Sequence, residues 1–220
     1  MIETGISFGD IHSFYGLNLV LSKVEISPAK PKTNYIDIPG GDGSVDMTEA
    51  NGEVKFYDRD CKFTFTMNPA GDLSEEAYEA KKTEVSNALN GREFKITLDK
   101  DNGFYYLGRC EVNEYLSNKR VRQIVVTAKV RPYKFKKTVT VVIFQLSSAQ
   151  KTVNVKNGRK SVCPTIECSN DNANIVFGNA SFSLSAGTNK LLGIQFKEGN
   201  NELKLSGTGT VTFSFQEGEL

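Results

Sequence analysis

Apolar and polar residues alternate along most of this chain. In Cys61–Met67, every odd position is apolar and every even position is polar. Successive side chains of a β-strand point to opposite faces, so this segment is predicted to place one face on a core and the other toward solvent or a neighbour. The same alternation recurs at Phe94, Ile96 and Leu98; at Ile124, Val126, Ala128 and Val130; at Val139, Val141 and Ile143; at Phe182 and Leu184; at Leu203 and Leu205; and at Val211, Phe213 and Phe215.

One segment departs from this pattern and predicts a single helix over residues 74–90. It is rich in Ala and Glu, Ser74 or Asp72 can cap its first turn, and Asn90-Gly91 supplies a left-handed stop. Its apolar residues Tyr78, Val85, Ala88 and Leu89 are spaced for one helical face, which we expect to pack on a sheet.

The pattern of predicted strands and turns changes between Val130 and Lys137. Pro132 ends the preceding strand because proline cannot donate to a strand ladder. Beyond it, short strands alternate with turns rich in Asn, Gly and Ser, which is typical of a β-sandwich. We therefore expect an α+β domain over about 1–135 and an all-β domain over 138–220, so the fold class is mainly β with one helix.

The segment Ser44–Met67 is long for one hairpin, with a polar turn at residues 48–53. A hairpin of this length would protrude from a small domain unless something covers it. Exposed strand edges must be paired, covered or charged, so we expect this arm to assemble with other copies of the chain.

Composition narrows the possible functions. The 220 residues include 27 Lys and Arg, 26 Asp and Glu, one His and no Trp. A net charge of +1 disfavours tight binding of DNA or RNA, which relies on a dense cationic surface. One basic group contains Lys119, Arg120 and Arg122. It is either a contact for nucleic acid or an acidic partner, or a solvated turn. No apolar run is long enough to span a membrane, and the N-terminus does not resemble a secretory signal.

Candidate catalytic and metal-binding groups are sparse. His12 and Ser13 are neighbours on a predicted strand, so they face opposite ways and do not form a dyad. The turn at Pro39–Gly43 lacks the lysine of a phosphate-binding loop, and the acidic stretch at 99–103 lacks the closing glutamate of a calcium loop. We expect no catalytic residue, no metal and no cofactor. The four cysteines (Cys61, Cys110, Cys163 and Cys168) contain no CxxC pair and are expected to be free thiols.

Ordered sequence blocks across the whole chain resemble the distal tail protein (Dit) family of siphophages that infect Gram-positive bacteria. Each block is weak alone, and the resemblance rests on their order and spacing. The blocks are Ser7-Phe8-Gly9 with His12-Ser13, Ile38–Gly43 followed by Val45-Asp46 and Thr48-Glu49, Tyr57-Asp58-Arg59, Leu89-Asn90-Gly91, Tyr105–Arg109, Val130–Lys134, Asn157-Gly158 with Pro164-Thr165-Ile166, Glu198–Asn201, Gly207–Gly209 and Phe215–Leu220.

The resemblance implies a tail-tube-like first domain that forms a hexameric ring, a galectin-like second domain on its periphery, and a belt at about 44–67 that embraces the next subunit. The ring would join the tail tube to a tail-associated lysin or fibre, possess a channel for DNA, and belong to a virion assembled in the host cytoplasm. A receptor-binding protein is a further partner. Interface candidates on the belt are Ser44, Val45, Asp46, Met47, Thr48, Glu49, Val54, Phe56, Tyr57 and Arg59. Structural motif positions are Pro39, Gly40, Gly43, Gly91, Gly108, Pro132, Tyr133, Pro164, Gly199, Gly209 and Gly218.

The sequence leaves two alternatives to a ring-forming structural protein. The second domain could recognise a cell-surface carbohydrate, although it offers no Trp for sugar stacking and a fold alone does not establish a site. An enzyme such as a cell-wall hydrolase is disfavoured, since no Cys/His pair, zinc ligand set or carboxylate dyad stands out. A structural protein of a phage tail tip that is not an enzyme agrees best with the sequence.

Overall fold

Strand Arg59–Met67 contains the clearest alternation and belongs to the largest sheet of the computed structural model, which describes residues 5–50, 52–117 and 121–220. Cys61, Phe63, Phe65 and Met67 are all buried, and the polar residues between them are more exposed. The apolar positions of this strand therefore face the core, as the alternation predicts.

The chain divides into two units, one running from the N-terminus to Lys134 together with Leu220, and the other covering Phe135–Glu219. In the first unit, seven antiparallel strands follow the order β2-β1-β7-β8-β9-β6-β3. Their bounds are β1 (Ile6–Phe8), β2 (Ile11–His12), β3 (Leu19–Ile26), β6 (Arg59–Met67), β7 (Glu93–Leu98), β8 (Phe104–Ser117) and β9 (Arg122–Val130); β4 (Tyr35–Asp37) and β5 (Ser44–Asp46) form a separate hairpin.

The single helix, α1 (Glu75–Leu89), lies one residue inside the predicted range at each end. The Ser74 hydroxyl accepts a hydrogen bond from the backbone N–H of Ala77 and caps the first turn. Tyr78, Val85 and Leu89 are buried against the sheet, and the Tyr78 hydroxyl donates to the carbonyl of Gln123 at 2.8 Å. The predicted apolar face is therefore the face that joins the core.

The two edges of the main sheet are short or irregular. One edge is β2, which has two residues. The other is β3, whose pairing with β6 is interrupted by a bulge between Leu21 and Lys23. Lys23 is exposed and forms an ion pair with Glu25. A bulge and charged side chains prevent further strands from adding to an edge.

The second unit is built from two four-stranded antiparallel sheets whose inner faces share one hydrophobic core. Phe196, Phe213 and Leu203 are fully buried in that core. One sheet has the order β11 (Thr140–Gln145), β18 (Thr210–Phe215), β13 (Thr165–Cys168) and β16 (Gly187–Asn189); the other has β12 (Lys151–Asn157), β17 (Gly199–Ser206), β14 (Ala173–Phe177) and β15 (Ala180–Leu184), while the short strands β10 (Lys134–Lys136) and β19 (Gly218–Glu219) pair with each other. In the residues that the structure describes, the protein is mainly β with one α-helix, as the sequence predicts.

Strand β11 faces the opposite way from the sequence prediction. Val139, Val141 and Ile143 are exposed, and Val142 and Phe144 pack against the core. The reason is register: on the neighbouring strand, the cross-strand partner of Val142 is the buried Phe213, and that of Phe144 is the buried Val211. Cross-strand partners share a face of a sheet, so this pairing directs the even positions inward.

Candidate assembly site

An arm leaves the main sheet after β3 and returns to it at β6. We call residues 28–58 the arm. Its base is a short antiparallel stem in which Lys32 N–H donates to the Lys55 carbonyl at 2.7 Å and Tyr57 N–H donates to the Lys30 carbonyl at 2.9 Å. No described residue of the arm is buried, whereas the sheet strands on both sides of it contribute to the core. The arm therefore projects away from its own unit.

The outer part of the arm is the β4–β5 hairpin, which is amphipathic. Ile36 is paired with Val45 across the two strands, and Ile38 and Met47 lie two residues further along the same face. These four residues form the apolar face of the hairpin, and their exposed fractions are 50, 43, 53 and 39%, respectively. The opposite face holds Tyr35, Asp37, Ser44 and Asp46.

The polar face of the hairpin is held together by its own hydrogen bonds. The Ser44 hydroxyl donates to the Asp37 carboxylate at 2.7 Å. The Asp46 carboxylate accepts from the backbone N–H of Thr48 at 2.9 Å. Hydrogen bonds from Thr48 hold the pKa of Asp46 below its usual value. The hydrogen bonds of the polar face are thus formed within the arm, whereas the side chains of the apolar face keep about half of their surface exposed.

The root of the arm is fixed to the first unit. The Arg59 Nε donates to the Ser27 carbonyl at 2.7 Å, at the point where the arm leaves β3. Its guanidinium also lies 5.4 Å from the centre of the Tyr106 ring. Phe56 packs edge-on against Tyr133, with 5.9 Å between ring centres. The direction of the arm is therefore set by contacts at its base.

The predicted belt and the observed arm share only part of their length. The predicted range 44–67 was wrong at both ends, because Arg59–Met67 is a core strand and the first hairpin strand lies before Ser44. Arg59 is buried and holds the root, so it is not an exposed interface residue. Of the other candidates, Ser44, Val45, Asp46, Met47, Glu49 and Tyr57 are exposed, and Thr48, Val54 and Phe56 are half-buried.

Sequence reasoning missed Tyr35, Ile36 and Ile38, which supply half of the hairpin. Their signal was present, since Ile36-Asp37-Ile38 alternates and the glycine-rich turn after Pro39 separates it from a second alternating segment. The apolar face forms only when the two segments pair as one hairpin across that turn.

The structure also locates the motif positions that the resemblance singled out. Pro39, Gly40 and Gly43 lie between the hairpin strands, and the Pro132 carbonyl accepts from Arg59. Gly108 of β8 lies opposite Val130 of the neighbouring antiparallel strand β9. The others lie at a helix end (Gly91), against Phe56 (Tyr133), at buried positions of the second unit (Pro164 and Gly218), at the start of β17 (Gly199), and at the bend before β18 (Gly209).

His12 holds a turn together. Its Nδ1 accepts hydrogen bonds from the backbone N–H groups of Phe14 and Tyr15 at 3.1 and 3.2 Å. Nδ1 therefore carries no proton, and Nε2 donates to Asp99 at 3.1 Å. Ser13 is the first residue of the turn after β2; it is buried, and its hydroxyl accepts a hydrogen bond from Ile6 N–H. Both ring nitrogens of His12 therefore form hydrogen bonds with nearby residues of the first unit.

Asp99 and Asp101, from the acidic stretch noted in the sequence, also form local contacts. Asp99 accepts from Gly5 N–H at 2.7 Å, and Asp101 forms an ion pair with Lys134 at 2.9 Å. Arg122, from the basic group, pairs with Glu75, while Lys119 and Arg120 lie outside the described residues. Within the described ranges, no cluster of three or more His, Cys, Asp or Glu side chains could hold a metal ion. No helix in those ranges is long and apolar enough to cross a membrane.

The thiols differ sharply in accessibility, which gives a direct prediction. Burial raises the pKa of the Cys61 thiol to about 11 and that of Cys110 to about 12, and Cys168 is also buried. Because the thiolate is the reactive form, we expect one thiol per chain, Cys163, to react with a disulfide reagent at pH 8, and all four to react in denaturant. In the Cys163→Ser variant no native thiol should react, and rapid native labelling of a second thiol would contradict the buried positions.

A broad groove crosses the outer face of the main sheet. Its volume is about 750 Å³, and it is lined by residues of β8, β9, β6 and β3 together with Asn90 and Gly91 at the end of the helix. Acidic and basic side chains line it in equal number. They are Glu25, Asp60 and Glu111, and Lys62, Arg109 and Lys129. Such a face is strongly polar without a continuous track of positive charge.

Comparison with known proteins supports the fold. No protein-family model matches the sequence, and no similar curated protein was found. Among solved structures, the chain is similar to the Dit protein (gp 19.1) of phage SPP1, whose crystal structure is described as a paradigm of the hub adsorption apparatus in phages that infect Gram-positive bacteria. The TM-score is 0.70 at 15% sequence identity, with 97% of this chain and 98% of that chain covered. Across both of its units, this chain therefore has a Dit-like fold.

Proposed function

We propose that this protein is a structural subunit of a phage tail tip, in which the arm of one copy binds the next copy and six copies close into a ring around a channel. The observation that carries the proposal is the exposed apolar face of the hairpin, presented on a rooted arm. The Dit-like fold supports the same role, since the SPP1 protein is described as part of an adsorption hub.

Physical chemistry favours a covered arm over a free one. A two-stranded hairpin by itself is only marginally stable in water. Full burial of an aliphatic side chain contributes about 1.5–3 kcal/mol. Ile36, Ile38, Val45 and Met47 each expose about half of their surface, so covering each of them contributes roughly half of that amount. A partner that covers this face would therefore stabilise both the arm and the contact.

The arm also suits a ring. A protruding element that binds a different surface on the next copy makes a head-to-tail contact, and such contacts close into a ring when the rotation between copies leads back to the first copy; otherwise they produce an open filament. The contacts of Arg59 with the Ser27 carbonyl and the Tyr106 ring fix the direction of the arm. The number six comes from the resemblance to distal tail proteins.

In this role the ring would join the tail tube on one side to a tail-associated lysin or fibre on the other, in a virion assembled in the host cytoplasm, with a receptor-binding protein as a further partner. DNA would pass without being held. The net charge of +1 and the mixed charges of the groove suit passage, because a polyanion is retained by a dense cationic surface.

Chemical catalysis forms no part of the proposed mechanism. The groups that could have served a catalyst are engaged elsewhere: His12 holds a turn, Asp99 and Asp101 form local bonds, and Cys61 and Cys110 are buried. The protein would act through shape, symmetry and the strength of the contacts between copies.

Carbohydrate recognition by the second unit is the alternative. One of its grooves, about 530 Å³, is lined by Asp171, Asn172, Asn174 and the serines on both sides of Leu184. These groups can bond to hydroxyls, but none of the groove residues provides an aromatic ring on which a sugar could stack. The groove therefore favours this function less than the arm favours assembly.

The assembly state of the full chain tests the proposal. We expect light scattering to give a mass six times that of the 24.3 kDa chain, and negative-stain microscopy to show rings with a central hole. The measurement should be made alone and with the tail proteins encoded beside it, since a partner can be needed to start the ring. A chain that stays monomeric at every concentration and in every mixture would refute the proposal.

A further inference from the structure

The second unit carries an apolar surface that its own fold does not use. Val139, Val141 and Ile143 lie on one face of β11 and its approach, with exposed fractions of 52, 54 and 64%. We call these three residues the β11 stripe. Outside the arm, Leu192 and Tyr15 are more exposed than the stripe but have no exposed apolar neighbour in sequence, and the group of Tyr115, Leu116 and Val121 is less than half exposed at each residue. The β11 stripe is thus the stronger candidate for a docking surface.

The position of the stripe makes it accessible. Within the described residues, β11 has β18 on one side and no strand on the other. The corresponding edge of the second sheet, β12, presents Thr152, Asn154 and Lys156 outward and is protected by their polarity. The β11 edge has no comparable protection, since Val141 and Ile143 occupy its outward positions.

We propose that the β11 stripe of one copy receives the apolar face of the β4–β5 hairpin from a neighbouring copy; this rests on the proposed function of the arm. Both surfaces consist of exposed aliphatic side chains, so each is available to a neighbouring copy. Each surface is a row of aliphatic residues at alternate strand positions, and two such rows can pack face to face as sheets do.

Charge agrees with this assignment. The arm has six acidic residues and three lysines, and Asp37, Asp42 and Asp46 belong to its hairpin region. Lys137 is exposed immediately before the β11 stripe. An acidic hairpin and a basic flank attract each other, which favours correct orientation during encounter.

The arm is long enough to reach another copy. The path from the root at Ser27 to the turn at Gly40 covers 13 residues. At about 3.3 Å per residue, an extended path of this length spans about 40 Å. That distance is comparable to the width of a small domain, so the hairpin can reach the second unit of a neighbour.

Photo-crosslinking tests the assignment. A benzophenone amino acid at Ile38 places the probe on the apolar face, and the same probe at Tyr35 places it on the polar face as a matched control. Mixed light and isotope-labelled copies identify links between chains by mass spectrometry. We expect links from position 38 to peptides containing residues 139–143, and at least tenfold fewer from position 35.

A second measurement does not depend on the probe. Val141→Thr with Ile143→Thr keeps β-branched residues in β11 while removing apolar surface, and we expect it to weaken assembly at least tenfold. Combining it with Ile36→Thr and Val45→Thr should weaken assembly little more than either pair alone, because both pairs remove the same contact.

The outcomes separate this inference from the proposed function. Rings whose position-38 links fall elsewhere, including near Leu116, or whose two threonine pairs have fully additive effects, would overturn the assignment of the β11 stripe and leave the ring intact. A chain that never assembles would overturn the proposed function and this inference together.

Discussion

Replacing Ile36 and Val45 by threonine should release single copies from the ring without unfolding the chain. Threonine keeps the β-branched shape that suits a strand, so the hairpin should persist. Each new hydroxyl would be buried without a partner at a cost of about 1–3 kcal/mol. Together the two changes would weaken each contact by about 4 kcal/mol, or roughly a thousandfold in dissociation constant.

The control for this pair lies on the other face of the same strand. Tyr35 is 59% exposed and points away from the apolar face, so Tyr35→Thr should leave the ring largely intact. Dissociation is read from mass photometry across a dilution series, and an unchanged far-ultraviolet dichroism spectrum shows that the fold is retained. Equal effects of the two variants would mean that the apolar face is not the contact.

Gly108→Ala should destabilise the first unit by about 3 kcal/mol, because β8 and β9 approach too closely for a side chain at this position. A Cβ at Gly108 would lie 2.6 Å from the Cα of Val130 and against the Lys129 carbonyl. These are backbone atoms of a strand held on both sides, so neither can move without opening the sheet. Urea unfolding followed by tyrosine fluorescence measures the loss.

Gly103→Ala is the matched control, since nothing lies within 4 Å of a Cβ at Gly103. It should change the free energy of unfolding by less than about 0.5 kcal/mol. Tyrosine fluorescence suits the test because all eight tyrosines precede Phe135, so the signal follows the first unit alone. Equal urea midpoints for the two alanine variants would contradict the close approach of β8 and β9.

Local rules predicted the elements whose two faces differ in character. Cys61–Met67 alternates strictly, and the helix has both a cap at Ser74 and a single apolar face, so both could be predicted from sequence. At Val141–Phe144 every residue is apolar, and alternation cannot select the inner face. That choice is made by pairing with Phe213, a residue far along the chain, which local patterning does not register.

The extent of the candidate assembly site could not be predicted from the sequence. The sequence predicts one long hairpin over Ser44–Met67, yet the strand partner of Val45 is Ile36, which precedes the glycine-rich turn. Arg59 shows the limit most clearly. Its position beside the arm suggested an interface, whereas its buried contacts with Ser27 and Tyr106 arise only when three separate strands meet.

The bulge between Leu21 and Lys23 has a consequence for how such a subunit persists before assembly. A long regular edge on the main sheet would invite a second copy to add there, and repeated addition would produce fibres that consume subunits. The bulge breaks the row of backbone donors and acceptors, and Lys23 with Glu25 keeps that edge hydrated. Concentrated copies can therefore remain dispersed, and the productive contact is left to the arm.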